Sequence, residues 1–366
     1  MNKLLFLCGI FLVISCNKAP HITRSFCYWK TNYSSYSIDK NKADSLAVNH
    51  MYMRFFDVGW NPYDKQAEPI ATMWDVSDET NRLDITPSVY ITNDVLLQST
   101  RPQLAELAQK ISKRITHILD TSKEKTLRYV LYKYGLQDEE KDACEKDEAQ
   151  IFKGRFNEIL IDCDWTVKSK NNYFYLLGEI KRQMPGYALS ATIRLWQYRD
   201  YETAGIPPAD RGLLMCYNMS NPTSYDNENS IGSSKIMGQY VNHNDYPLKL
   251  DAALPVFSWA LVFRGGKFKG ILPNNYYNIE NKAFKKIAQN HYVLQSDIVI
   301  KESYYRNGDE IRIERVSDAE MKKMIALLKK NIDLEGSRVT FFSWDENYID
   351  SYGINAISGY YSLFGE

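Results

Sequence analysis

The strings that announce a nucleotide, zinc-peptidase or serine-hydrolase site are missing from this chain. It contains no G-x-S-x-G elbow, Walker loop, G-x-G-x-x-G or H-E-x-x-H, so no nucleotide cofactor is expected. Histidine is scarce. The five (His21, His50, His117, His243, His291) are scattered without ligand spacing and read as structural or surface residues. None of the six cysteines forms a C-x-x-C pair, and no metal site is expected. An excess of one charge is also absent: 45 basic residues balance 45 acidic ones, which argues against a nucleic-acid partner. There is no internal repeat and no low-complexity tract.

What the chain does have is length and aromatics. Its 366 residues, 44% of them hydrophobic, are enough for one large domain with an ample core. The 27 Tyr, 15 Phe and 7 Trp are an unusual load. Flat rings suit the C–H faces of sugars, although each ring taken singly is equally at home in a core.

The first residues read as a leader outside the fold. Met1-Asn2-Lys3 is a short basic stretch, and Leu4 to Ile14 is an apolar run too short to span a bilayer. Val13-Ile14-Ser15-Cys16 then resembles a lipobox, which makes residues 1–15 a lipoprotein signal peptide and Cys16 the lipidated first residue. Several acyl chains anchor a protein stably where one does not. Residues 16–24 are the tether. Asn17 fits outer-membrane sorting, and without an acidic run after Cys16 the chain is expected to face the periplasm, surface exposure being the alternative. An oxidising compartment permits disulfides, and Cys27–Cys144 is one pairing open to it. Cys163 and Cys216 lie in apolar runs and read as buried thiols.

From residue 25 onward, strand-like and helix-like segments alternate. Strands are expected at 26–31, 51–58, 85–92, 158–165, 188–196, 213–218, 254–263 and 339–345. Helices are expected at 37–48, 102–119, 171–184, 231–241 and 318–332. The clearest is 102–119, where Leu104, Leu107, Ile111, Ile115 and Ile118 recur at helical spacing behind Pro102. Eight strands alternating with helices predict an α/β fold, a (β/α)8 TIM barrel over residues 25–366. Two insertions interrupt it. The one at about 122–153 is charged; the one at about 264–317 follows the seventh strand and has α+β character. Asn307-Gly308 between two apolar runs predicts a hairpin inside the latter.

The fourth strand, Glu158-Ile-Leu-Ile-Asp162-Cys163-Asp164-Trp165-Thr166, carries the chemistry. In a strand, Asp162, Asp164 and Thr166 share one face, roughly 6–7 Å apart. Acids at the C-terminal end of a barrel strand mark a site. This run resembles the Asp-x-Asp-Trp-Glu strand of the family-18 glycoside hydrolases, and the sixth strand's Met215-Cys216-Tyr217-Asn218 resembles that family's Met-x-Tyr-Asp. The chain is also similar to bacterial barrel proteins with the same Asp-x-Asp-Trp strand, from which no activity carries over. The family-18 resemblance implies that Asp164 orients the reacting N-acetyl group of a sugar, with Asp162 behind it and Tyr217 helping to hold that group. It also puts Thr166 where the family has its catalytic Glu, and a Thr hydroxyl is far too weak an acid for that work. Asn218, in place of an Asp, keeps hydrogen bonding and loses the charge. Trp344 corresponds to the family's Trp platform on strand eight.

Other candidates for the mouth are Arg54 and Asp57, Arg194, Gln197, Trp259, Asp345 and Glu346. The competing assignment for the charged ones is an ion pair within the barrel, with Arg54 or Arg194 holding Asp162 ionised. Trp165 faces away from the acids and is expected to pack under a helix. Three functions stay open. The first is an envelope lipoprotein that binds a glycan, N-acetylhexosamine-containing or another envelope polysaccharide, without family-18 catalysis. The second is an active glycosidase whose acid is Asp57, Asp345 or Glu346, within roughly 5–10 Å of Asp164. The third is a scaffold whose mouth is plugged. Fold alone does not choose among them.

Overall fold

The computed structural model describes residues 20–33, 37–74, 76, 83–134, 155–272, 282–300 and 302–365. The lipobox with Cys16, and Cys144 with most of the 122–153 segment, lie outside the described residues. In chain order the first strands are β1 (Thr23–Tyr28), β2 (His50–Asn61), β3 (Gln66–Thr72), β4 (Asp84–Ile91), β5 (Glu158–Asp162), β6 (Ala188–Arg194), β7 (Arg211–Met215) and β8 (Lys249–Pro255). Next come β9 (Ser258–Arg264), β10 (Lys267–Leu272), β11 (Phe284–Ala288), β12 (His291–Leu294), β13 (Ile298–Ile300), β14 (Ser303–Tyr305), β15 (Glu310–Arg315) and β16 (Arg338–Phe342).

Among the described residues, β1, β2, β4, β5, β6, β7, β8 and β16 pair in parallel, each with the next, and β16 returns to β1. The ring is closed, so none of these strands presents a free edge. This is the expected (β/α)8 barrel. β3 folds back antiparallel on β2 as a hairpin over the C-terminal end of the barrel.

The helices are α1 (Lys40–Ser45), α2 (Asn93–Gln98), α3 (Arg101–Tyr134), α4 (Lys170–Gln183), α5 (Leu195–Arg199), α6 (Tyr201–Ala204), α7 (Ser234–Met237), α8 (Asp318–Asn331), α9 (Glu346–Tyr352) and α10 (Ile354–Ser362). Apolar residues at helical spacing bury one stripe of each long helix: Leu104, Ile111, Ile115 and Ile118 of α3, and Met321, Met324, Ile325 and Leu328 of α8, are all 1% exposed or less. α3 runs to Tyr134, past the expected end at 119, because Ser122 remains buried and holds the backbone N–H of Val76. α1 starts late: Asp39, not Ser37, accepts the N-terminal hydrogen bond from Lys42. The expected helix at 231–241 contracts to α7, capped by Ser233.

The largest departure from the sequence pattern is at the seventh strand. The apolar run 254–263 is two elements. β8 ends at Pro255 in the barrel, and β9 belongs to a separate antiparallel sheet ordered β10-β9-β15-β12-β11. Both elements are apolar because that sheet has its own small core of Ala260, Val262, Leu272, Phe284, Leu294, Ile300 and Ile311. Asn307-Gly308 does turn the chain, with φ +86° at Gly308, but β14 before it pairs with β13 while β15 after it pairs with β9 and β12. The turn joins two sheets instead of closing a hairpin.

Candidate functional site

Inward side chains fill the barrel in layers, and the two ends differ in kind. At the N-terminal end the charged groups are tied into one buried network. Arg338 Nη1 donates to Glu158 Oε2 at 2.6 Å and Asp251 Oδ2 at 3.3 Å. Arg211 donates to both oxygens of Asp251, and the Tyr52 hydroxyl to Oδ2 at 2.8 Å. His50 bridges Ser25 and Thr86, each at 2.8 Å, and burial holds its imidazole well below its usual range, that is, neutral. This end reads as stability, since charges buried here need every partner they have.

The C-terminal mouth is more open: Asp164 is half-exposed, and the Tyr217 hydroxyl makes no hydrogen bond among the described residues. β5 ends at Asp162, so Asp164 and Thr166 sit in the loop that starts α4 and not on a continued strand. Asp162 itself is 5% exposed. Its Oδ1 accepts from Thr192 Oγ1 at 2.8 Å, and that oxygen accepts from the Cys163 N–H at 3.2 Å. Burial pushes the Asp162 carboxyl up to about 7, aided by the charge of Asp164 and opposed by the Thr192 bond. Asp164 stands at the rim with 49% of its side chain exposed, 3.4 Å from Arg194 Nε.

The competing assignment, Arg54 or Arg194 paired with Asp162, is not the arrangement that forms. A β-bulge at Phe55 shifts the register of β2 between Arg54 and Phe56, which lets Arg54 meet Asp57, three residues on, in a two-pronged ion pair. Arg194 turns to Asp164. Asp162 is left buried with the Thr192 hydroxyl as its side-chain partner, and burial outweighs that bond and the more distant guanidinium groups to keep its pKa raised.

Aromatic rings wall the opposite side. The Tyr217 ring stacks on Phe342 with centroids 4.7 Å apart and meets Phe257 edge-on. Trp29 tilts against Phe342, and Trp259 meets the other side of Phe257. Tyr217 is 5% exposed, and its hydroxyl forms no hydrogen bond among the described residues. Tyr90, on β4 opposite Asp162 in the register, is pushed up to about 12 by burial and by the charges of Asp164, Asp162 and Asp57.

The remaining expected site residues are dispersed. Trp344 is 1% exposed, edge-on to Phe26 in the core, so it has no face to offer a sugar; Phe342, at the end of β16, is the mouth aromatic of that strand. Trp259 sits on the inserted sheet, with its indole N–H donated to Glu314 at 2.8 Å. Asp345 caps α9 and pairs with Lys30 at 2.8 Å; burial pushes its carboxyl up, but Lys30 outweighs this and holds it below the usual range. Glu346 pairs with Lys42 at 3.7 Å. Asn218 is an exposed loop residue with φ +51°. Gln197 is buried, closing a turn between the Arg194 N–H and the Trp165 carbonyl. Trp165 packs under α4, stacked on Tyr173. Cys27, Cys163 and Cys216 are buried free thiols. Cys27 lies inside the barrel beside Thr340. Tyr90, Phe257, Phe342 and Trp29 were missed as site residues. For Tyr90 the signal was present, since Thr86, Ser88 and Tyr90 alternate toward one face of β4.

Thr166 is bound into its loop. Its N–H donates to Ser169 Oγ at 2.9 Å, its Oγ1 lies 3.3 Å from the same oxygen, and its carbonyl accepts the Ser169 and Lys170 N–H groups at the start of α4. The position that would carry an acid belongs to a helix start.

Fold and site together define a closed (β/α)8 barrel whose mouth joins two acids, a guanidinium and a wall of rings. No protein-family model matches the sequence, and no curated protein is significantly similar to it. Among solved structures, the chain is similar to the spore cortex-lytic enzyme SleL of Bacillus megaterium QM B1551, with 10% identity over 93% of this chain and 75% of that one and a TM-score of 0.45. It is also similar to the catalytic domain of a Pyrococcus furiosus chitinase (8% identity, 95% and 99% covered, TM-score 0.40). A third is a xylanase-A-amylase inhibitor protein, XAIP-III (12% identity, 93% and 98% covered, TM-score 0.42).

Proposed function

We propose that this barrel binds a glycan at its C-terminal mouth and does not cleave it by the family-18 route. The single observation that carries the proposal is the mouth itself: the half-exposed Asp164 carboxylate and the Tyr217 hydroxyl, which makes no hydrogen bond among the described residues, sit there with the Tyr217, Phe342, Phe257 and Trp29 rings, while Thr166 is held in a helix start. Acceptor, donor and ring are what a sugar needs for orientation and for its apolar face. The three acids that would restore hydrolysis, Asp57, Asp345 and Glu346, are each engaged by a cation. We further propose a cell-envelope lipoprotein anchored through lipid on Cys16, at the outer membrane facing the periplasm. Its test is lipid labelling of cells, which Cys16→Ala should abolish.

Titrating the purified domain with N-acetylhexosamine polymers and other envelope glycans tests binding, and reducing-end release tests cleavage. Saturable binding lost in Asp164→Ala, without release, is the expected result. Turnover that Asp164→Ala abolishes would sink the binding-only conclusion, and failure to bind any glycan would sink the sugar reading. One observation favours a hydrolytic alternative: Asp162 holds its proton up to about pH 7 and so is a proton donor at the mouth. Release that disappears in Asp162→Asn would establish that route.

A further inference from the structure

A second concavity lies beside the mouth, between the β2–β3 hairpin and helices α2 and α3. It is a groove of about 740 Å³ walled by Trp60, Pro62 and Lys65 of the hairpin, Asp94 and Gln98 of α2, and Gln103 of α3. That volume is in the range of small-molecule sites. Trp60 and Pro62 supply flat apolar surface. The side chains of Lys65, Asp94 and Gln98 are exposed and make no hydrogen bond or ion pair among the described residues. Gln103 is held in place, accepting from Thr100 at 2.9 Å and donating to the Lys65 carbonyl at 3.1 Å. One free cation and one free anion cancel, so the lining suits a neutral, many-hydroxylated ligand better than an anion.

Both walls of the groove start in the mouth. On one side, Thr166 contacts Ser169, whose hydroxyl donates to Asn93 at 2.6 Å, next to Asp94; Asn172 of α4 also ties α2 down through the Leu96 carbonyl at 2.7 Å. On the other, the Arg54–Asp57 pair of the mouth lies on β2 just before Trp60. We infer that the groove continues the mouth as a second binding segment for a neutral polysaccharide chain, with Trp60 as its stacking surface. This rests on the glycan reading of the mouth and adds to it a second contact segment, outside the barrel, for the same chain.

Calorimetric titration with the di- and hexasaccharides of β-1,4-linked N-acetylglucosamine tests it. The hexasaccharide should bind about tenfold more tightly than the disaccharide, the worth of a good stacking contact. Trp60→Ala should erase that gain and leave disaccharide affinity unchanged. The double variant Asp94→Ala/Gln98→Ala, at exposed helix positions that do not hold the fold, should reduce the same gain. Equal affinity for the two lengths, or a length gain that survives both variants, would overturn the inference. Failure of these sugars and of every other envelope glycan to bind would remove the mouth reading itself, whereas disaccharide binding without a length gain removes the groove alone.

Discussion

Replacing Asp162 by Asn should make this protein more stable at pH 8 and leave it unchanged below pH 4. In the folded state burial pushes the Asp162 carboxyl up to about 7, while in the unfolded chain it titrates near the ordinary value of about 3.9. The folded state therefore holds a proton that the unfolded state has lost, at every pH between those two values. Stability linked to Asp162 is full below about pH 4 and drains as pH rises through about 7. A gap of roughly three units, at 1.36 kcal/mol each, amounts to about 4 kcal/mol, an order-of-magnitude figure. Asn keeps the acceptor that Thr192 uses and carries no charge to desolvate. It also removes the repulsion from Asp164, while Arg54 and Arg194 keep their own carboxylates, Asp57 and Asp164. Urea unfolding of parent and variant at half-unit steps from pH 4 to 8.5 measures this. The difference in unfolding free energy should be near zero at the acid end, grow across the window and level off above about pH 7. A difference that does not change with pH, or a parent as stable as Asp162→Asn at pH 8, would refute the reasoning.

Three other outcomes follow from the same geometry. Arg338→Met leaves Glu158 and Asp251 buried without their shared cation and should cost about 3–5 kcal/mol in urea unfolding, with glycan affinity unmoved in the fraction that folds. Asp164→Ala removes a half-exposed ion pair and should change stability by less than about 1 kcal/mol, while glycan titration shows binding lost. Trp344→Ala empties a fully buried site against Phe26 and should cost about 3–5 kcal/mol by the same unfolding assay; a Trp344 exposed as a sugar platform would instead cost little stability and much affinity.

Strand and helix types were legible in the sequence because local periodicity encodes them. The apolar run in 158–162 reflects a strand buried on both faces and the helical spacing in 104–118 reflects one buried face, and eight such strands between helices admit few closed solutions. The break between Pro255 and Ser258 was not legible, because two apolar strands serving two different cores read as one apolar run. Trp344 illustrates the same limit. Its place after strand eight made it a mouth residue by position, but the strand ends at Phe342 and the next turn carries the indole into the core.

By itself, the sequence determined that the chain forms a barrel, that Asp162 and Tyr217 lie at the C-terminal ends of two of its strands with Asp164 just beyond, and that Thr166, not a carboxylic acid, directly follows Trp165. Only the tertiary structure decided which charge meets which. A bulge of one residue in β2 turns Arg54 toward Asp57, Arg194 reaches Asp164, and Asp162 is left with a hydroxyl and its proton. Facing depends on local period and travels with the chain. Pairing depends on register between strands far apart in sequence, and one extra residue is enough to change it.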